Sequence, residues 1–193
     1  MSGAKTSEQG AEEREALEAA WPRILIANGR APGLAAWWVR SRQQAEGRGL
    51  PRIARHPLVS SVEAGLFDAR RARRLERGLE GAEKRLTAEE AGLKKTAAAR
   101  PESDGVRISR LLVVSGDGSE RFYRQVESLR ARFANRLEVL LLDCDEHALG
   151  AAAFGPGRRA RALLIHHKEA VVRFLSILDV DPGDSAREIS TPD

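Results

Sequence analysis

Two glycines and three arginines lie close together in the segment FGPGRRAR, residues 154–161. Gly155 and Gly157 can adopt backbone conformations that bring N–H groups close to an anion. The arginines add guanidinium groups, which form charge-assisted hydrogen bonds with phosphate; they are Arg158, Arg159 and Arg161. The segment therefore predicts a phosphate-binding loop, with a plain surface turn carrying solvated arginines as the alternative.

Acidic side chains follow two apolar runs of the chain. Asp117 comes after ISRLLVV, and Asp143 and Asp145 stand at the end of LEVLLLDCD. At one edge of a parallel sheet these carboxylates could hold Mg²⁺ for phosphoryl transfer or strand cleavage. Aspartate is also a common residue at helix N-termini, so helix capping is the alternative.

The pattern of apolar residues predicts the elements that carry these groups. Strands are expected at 108–114, 137–143 and 160–166, and amphipathic helices at 119–134 and 168–178. Both faces of the second strand are apolar, which is typical of a parallel sheet covered by helices on both sides. The fold class is therefore predicted to be α/β, a three-layer α/β/α sandwich with a mostly parallel sheet, spanning residues 74–179.

The rest of the chain divides by charge and turn signals. Residues 1–20 are acidic and predicted to be disordered, and residues 180–193 form an acidic tail without periodicity. Residues 21–73 read as a basic helical arm, and helical periodicity continues through 57–93, followed by a loop. In the arm, Trp37 and Trp38 could contact a partner, together with Trp21, or dock the arm onto the core.

Composition limits the possible functions. The chain has 193 residues and a formal net charge of +4, and its isoelectric point is near 9.7, which favours anionic partners. Cys144 is the only cysteine, so disulfides and a cysteine-built zinc site are excluded. No apolar run has the length of about 18 residues that predicts a membrane span, and no cofactor motif is present, so we expect a cytoplasmic protein without a cofactor.

The segment from residue 74 to 179 resembles the kink-turn-binding superfamily of ribosomal and snoRNP proteins, the large-subunit "seven-A-e" and "thirty-e" type. That family has a Lys/Arg-Gly-x-Asn-Glu-x-x-Lys signature, matched here by Arg77, Gly78 and Lys84, whereas Glu80 and Gly81 replace Asn-Glu. Its later Leu-Gly-x-Ala element, short loop and strand are matched by LGAA, FGPGRR and ALLI. The resemblance implies an α/β fold that binds structured RNA.

These observations lead to three hypotheses of different classes. The first is a non-enzymatic RNA-binding protein, associated with the ribosome or a ribonucleoprotein, whose RNA-binding residues are Arg77, Gly78, Lys84, Arg158, Arg159 and Arg161. The second is a Mg²⁺-dependent phosphoryl-transfer or nuclease domain with Asp117, Asp143 and Asp145 as its catalytic residues. The third is a protein-interaction or assembly module that uses the arm.

Overall fold

The structure is a computed structural model, and it describes residues 3–47, 50–97 and 105–180. Within these ranges the chain forms eight helices and five strands: α1 (Gly3–Ala20), α2 (Arg23–Ala27), α3 (Ala31–Gly47), β1 (Ala54–Pro57), α4 (Ser60–Arg71), β2 (Leu75–Arg77), α5 (Leu79–Ala97), β3 (Arg110–Ser115), α6 (Glu120–Arg132), β4 (Leu137–Asp143), α7 (Glu146–Phe154), β5 (Ala162–Ile165) and α8 (Lys168–Ile177).

The five strands form one mixed sheet in the order β1-β4-β3-β5-β2. β4 pairs in parallel with β1 and β3, whereas β5 runs antiparallel to both β3 and β2. The predicted α/β class with a mostly parallel sheet is thus confirmed, and the three predicted strands are neighbours. Because β5 is antiparallel, its first residue, Ala162, lies opposite Val114 near the end of β3.

The central strands are buried on both faces. In β3, Leu111 and Val113 belong to one apolar cluster, whereas Leu112 and Val114 belong to another. The first cluster takes its helical residues from α1, α2, α3, α4, α7 and α8, and the second from α5 and α6. Successive side chains of a strand point to opposite faces, so the two clusters lie on opposite sides of the sheet.

Neither edge strand of the sheet, β1 or β2, was expected from the sequence. The predicted helical stretch 57–93 is interrupted by β2, whose backbone pairs with β5. Arg73 and Gly78 flank this strand with positive φ angles of 55° and 82°, which a continuous helix cannot accommodate. The apolar periodicity therefore belongs to two helices, α4 and α5, and α5 runs to Ala97, where the sequence predicted a loop; residues 98–104 lie outside the described part of the chain.

The prediction of disorder for residues 1–20 is wrong over the part that the structure describes, because α1 occupies Gly3–Ala20. Leu17 and Ala20 are buried in the first apolar cluster. Glu13 also accepts a hydrogen bond of 2.8 Å from Arg42 of α3. The helix is held by these tertiary contacts, which the local acidic pattern does not reveal.

The segment predicted as a separate arm, residues 21–73, shares the core of the remaining fold. Trp21 and Trp38 are fully buried in the first cluster, and β1 pairs with β4 in the sheet. Trp37 is half-buried and lies 5.4 Å from Trp38, measured between ring centroids. Trp38 thus belongs to the core and Trp37 packs against it, and no boundary at residue 74 divides the core.

Residues 181–193, most of the predicted acidic tail, lie outside the described ranges. In the part of the chain that the structure describes, no helix combines the length and the apolar character needed to cross a membrane.

Candidate anion-binding groove

The loop of glycines and arginines at residues 155–161, which we call the Gly/Arg loop, begins where α7 ends. Gly155 and Gly157 have φ angles of 91° and 74°, in the left-handed region that favours glycine. These conformations turn the chain back along α7, so that the Ala160 N–H donates to the carbonyl oxygen of Glu146 at 2.8 Å. The loop therefore returns to the sheet edge at which α7 starts, and β5 begins there.

The small residues of α7 allow this close return. A Cβ atom at Gly150 would lie 2.6 Å from both the carbonyl carbon of Arg158 and the Cα atom of Arg159, and would also overlap the Arg158 carbonyl oxygen. These are backbone atoms, which cannot move aside as the end of a side chain can. The loop backbone thus lies directly against the helix at Gly150.

The Arg77-Gly78 pair lies beside this loop. The pairing of β2 with β5 places Arg77 opposite Leu163, and the Gly78 N–H donates to the carbonyl oxygen of Ala162 at 2.8 Å. The Arg77 guanidinium donates a hydrogen bond to the carbonyl oxygen of Arg159. Two motifs that are distant in sequence therefore meet at one edge of the sheet.

Together they line a groove of about 490 Å³, which we call the arginine groove. Its lining residues are Arg77, Gly78, Glu146, Arg159, Ala160 and Arg161. Arg158 is exposed on the loop without lining the groove, and Lys84 is exposed on α5, also outside the lining. Four of the six predicted RNA-binding residues are thus brought together, and two are not.

Glu146 supplies the negative charge of the arginine groove, and the sequence analysis did not identify it. Its carboxylate pairs with the guanidinium of Arg159 and, at 2.9 Å, with the Nε atom of Arg161. The Glu146 side chain is only 13 % exposed, whereas those of Arg159 and Arg161 are 60 % and 48 % exposed. The buried carboxylate therefore holds both guanidiniums from the protein side and leaves their other N–H donors open to solvent.

Phe154, the last residue of α7, adds an aromatic ring next to the arginine groove. The guanidinium carbons of Arg70 and Arg77 each lie 5.6 Å from the centroid of this ring. Such a separation permits a cation–π interaction. Arg70 belongs to the last turn of α4, so a third element of the fold contributes positive charge here.

The three predicted catalytic aspartates lie at the ends of β3 and β4, Asp143 being the last residue of β4, and each has a structural role. Asp145 caps α7, since its carboxylate accepts from the Ala148 N–H at 2.7 Å. Asp143 pairs with Arg55 of β1. Asp117 accepts from the Ser115 hydroxyl at 2.6 Å and from the Glu146 N–H at 3.1 Å.

Burial, hydrogen bonds and neighbouring charges at this edge of the sheet shift the pKa values of Asp117 and Cys144. Burial acts to raise the pKa of Asp117, but the hydrogen bonds from Ser115 and the Glu146 N–H, with the charge of Arg161, outweigh it and lower the pKa below its usual value. Burial raises the pKa of the Cys144 thiol to about 12, and the charges of Asp145 and Asp117 add to this effect. The edge thus has an acidic half after β3 and β4 beside the arginine groove.

These carboxylates do not assemble into a metal site. Over residues 3–47, 50–97 and 105–180, no three side chains of His, Cys, Asp or Glu come together in a way that could hold a metal ion. The magnesium hypothesis thus has no described group of three ligands, and the geometry favours the capping and pairing roles.

Comparisons with known proteins do not assign a family to the chain. No protein-family model matches the chain, and no curated protein matches it. A solved structure of a protein of unknown function from Bacillus halodurans is similar over 62 % of this chain and 97 % of that one, with 15 % sequence identity and a TM-score of 0.42.

Proposed function

We propose that this chain is a non-enzymatic RNA-binding protein, associated with the ribosome or a ribonucleoprotein, that holds the RNA backbone in the arginine groove. The observation that carries the proposal is the meeting of Arg77 and Gly78 with Arg159 and Arg161 around one groove. Proteins fix their position on RNA and DNA largely through such phosphate contacts.

The arrangement suits phosphate recognition because its donors are already oriented. Arg77 is held by the Arg159 carbonyl oxygen, and Arg159 and Arg161 are held by Glu146. Each guanidinium still has N–H groups facing solvent, and its planar shape matches the oxygens of a phosphate. Less side-chain freedom is lost on binding when the donors are positioned beforehand.

The resemblance to the kink-turn-binding superfamily is supported by the same adjacency, since its Lys/Arg-Gly element and its short loop correspond to the two motifs that meet here. The apolar clusters on both faces of the sheet likewise support a three-layer α/β/α arrangement. Glu80 and Gly81, however, stand where the family has Asn-Glu, so the proposal concerns the RNA backbone and not recognition of a kink-turn.

The proposal is tested with the double variant Arg159→Ala, Arg161→Ala, which removes two guanidiniums from the groove. We expect weaker binding to RNAs of unrelated sequence and a shallower dependence of log K on log salt, by about 0.7 per lost contact on a single strand or about 0.9 on a duplex. The matched control is Arg121→Ala, Arg124→Ala, which removes the same charge from exposed positions of α6. Equal effects of the two double variants, or no RNA binding by the intact chain at low salt, would overturn the proposal.

A further inference from the structure

Two aromatic rings, Phe154 at the end of α7 and Phe67 on α4, each have an arginine guanidinium close to the ring. Arg70 and Arg77 lie over Phe154, as described above, and the guanidinium carbon of Arg71 lies 5.9 Å from the centroid of Phe67. We propose that Phe154 and Phe67, with these arginines, form a stacking surface for unpaired nucleobases. This inference rests on the proposed RNA binding and adds that the RNA is held as a single strand.

The charges around Phe154 point to an anionic ligand. Among the described residues, the side-chain contacts of Arg70 and Arg77 are with the Phe154 ring and, for Arg77, with the Arg159 carbonyl oxygen; none of these partners is a carboxylate. Two like charges that share one ring repel each other, and a phosphate between or beside them would relieve this repulsion. The Arg70 and Arg77 side chains are exposed, so a ligand can reach them.

The second ring extends this surface along α4. Phe67 is 43 % exposed, so its ring is accessible to a ligand, and Arg71 stands one helical turn after it. Arg70 and Arg71 are consecutive, so their side chains leave the helix about 100° apart. Both pairs therefore involve the last turn of α4, through Arg70 at the Phe154 ring and Arg71 at the Phe67 ring.

The chemistry of these groups selects unpaired bases over a duplex. The bases of a duplex are already stacked on each other, and an RNA helix offers mainly phosphates and 2′-hydroxyls to a protein. An unpaired base can stack on a phenyl ring or on a guanidinium plane, and such stacking tolerates any sequence. Phosphates of the same strand would then reach Arg159 and Arg161 in the groove.

The experiment uses a short RNA of mixed sequence that carries a fluorescent adenine analogue, either single-stranded or annealed to its complement, with the full chain. We expect the single strand to bind more tightly than the duplex and its fluorescence to be quenched on binding. Phe154→Leu keeps an apolar side chain and should weaken single-strand binding by about fivefold or more and remove the quenching. The salt dependence of log K should stay unchanged, because no phosphate contact is lost.

Two further variants make the outcome clear. Phe67→Leu changes an exposed side chain and should weaken single-strand binding in the same direction, whereas Phe122→Leu changes a half-buried ring on the opposite face of the sheet and should have no effect. Equal binding of the two RNAs with no effect of Phe154→Leu and Phe67→Leu would overturn the stacking surface and leave backbone binding intact. Failure of both RNAs to bind at low salt would overturn the proposed function and this inference together.

Discussion

The Arg77 guanidinium donates a hydrogen bond to the backbone carbonyl oxygen of Arg159, 82 positions further along the chain. Arg159 pairs in turn with Glu146, the first residue of α7. The end of β2, the Gly/Arg loop and the start of α7 are thereby connected through two neighbouring side chains. A change in any one of these elements should therefore alter the arginine groove.

Gly150→Ala should destabilise the fold and weaken RNA binding. The added methyl group would overlap the backbone at Arg158 and Arg159, so the loop has to move away from α7. Overpacking of this kind costs about 1–3 kcal/mol, which urea unfolding would measure.

The matched control for Gly150→Ala is Gly33→Ala in α3. Among the described residues, none lies within 4 Å of a Cβ atom added at Gly33. Alanine is the better helix former, so this variant should be equally stable or more stable, by up to about 1 kcal/mol in urea unfolding. A stability loss at Gly33 as large as that at Gly150 would contradict the close approach of the loop.

Glu146→Gln should tighten RNA binding. The Glu146 carboxylate pairs with Arg159 and Arg161 but also repels an incoming phosphate. The amide oxygen of glutamine can still accept hydrogen bonds from these arginines and keep them oriented, whereas the repelling charge is lost. Two charges about 4 Å apart interact by about 1 kcal/mol in water, so removing the repulsion should increase affinity by about fivefold at low salt. Binding titrations measure the change, and weaker binding would mean that the carboxylate matters chiefly for orienting the arginines.

Asp145→Ala should cost about 0.5–2 kcal/mol of stability, because the helix cap of α7 is lost. Asp145→Asn should cost much less, since asparagine also caps helices well. Thermal unfolding of both variants, with and without Mg²⁺, provides the measurement. A melting temperature that rises with Mg²⁺ in the unmodified chain and not in Asp145→Asn would revive the magnesium hypothesis.

The central part of the fold could be predicted because its pattern is local. In β3 and β4 apolar residues occupy both faces, and the helices on either side carry regular apolar stripes. The strands β1 and β2 could not be predicted, because ARHP and LER are short and polar and become strands only by pairing with β4 and β5. The direction of β5 depends on the return of the loop to Glu146, which is a tertiary contact.

In the arginine groove, too, residues with a local sequence pattern could be predicted, whereas those that join it through tertiary contacts could not. Glycine and arginine in one loop indicate an anion site without further information, and Arg77-Gly78 carries the family pattern. Glu146, Phe154 and Arg70 join the site only because α4 and α7 pack beside the loop, and nothing in their own sequence neighbourhood marks them. Their contribution required the three-dimensional arrangement.

Arg42→Met should destabilise the fold by about 3–5 kcal/mol, because it leaves a buried carboxylate without its main partner. The Arg42 side chain is 2 % exposed and pairs with Glu138 of β4 and Glu13 of α1. The double variant Arg42→Met, Glu138→Met should be more stable than Arg42→Met alone, since an apolar pair requires no counter-charge. Urea unfolding of both variants tests this order, and the reverse order would show that Glu138 remains satisfied by Arg130, which lies 3.1 Å away.

Cys144 should react slowly with alkylating reagents in the folded chain and rapidly in urea. Burial, together with the charges of Asp145, Asp117 and Asp143, raises the pKa of its thiol to about 12. An unperturbed thiol has a pKa of about 8.5, so near about pH 8 the folded chain should react on the order of a thousandfold more slowly. A raised pKa also means that this group contributes stability below the unfolded value of about 8.5 and loses it as the pH rises toward about 12. Asp145→Asn keeps the cap and removes one charge, so it should speed alkylation of the folded chain; an unchanged rate would show that burial alone suppresses the thiolate.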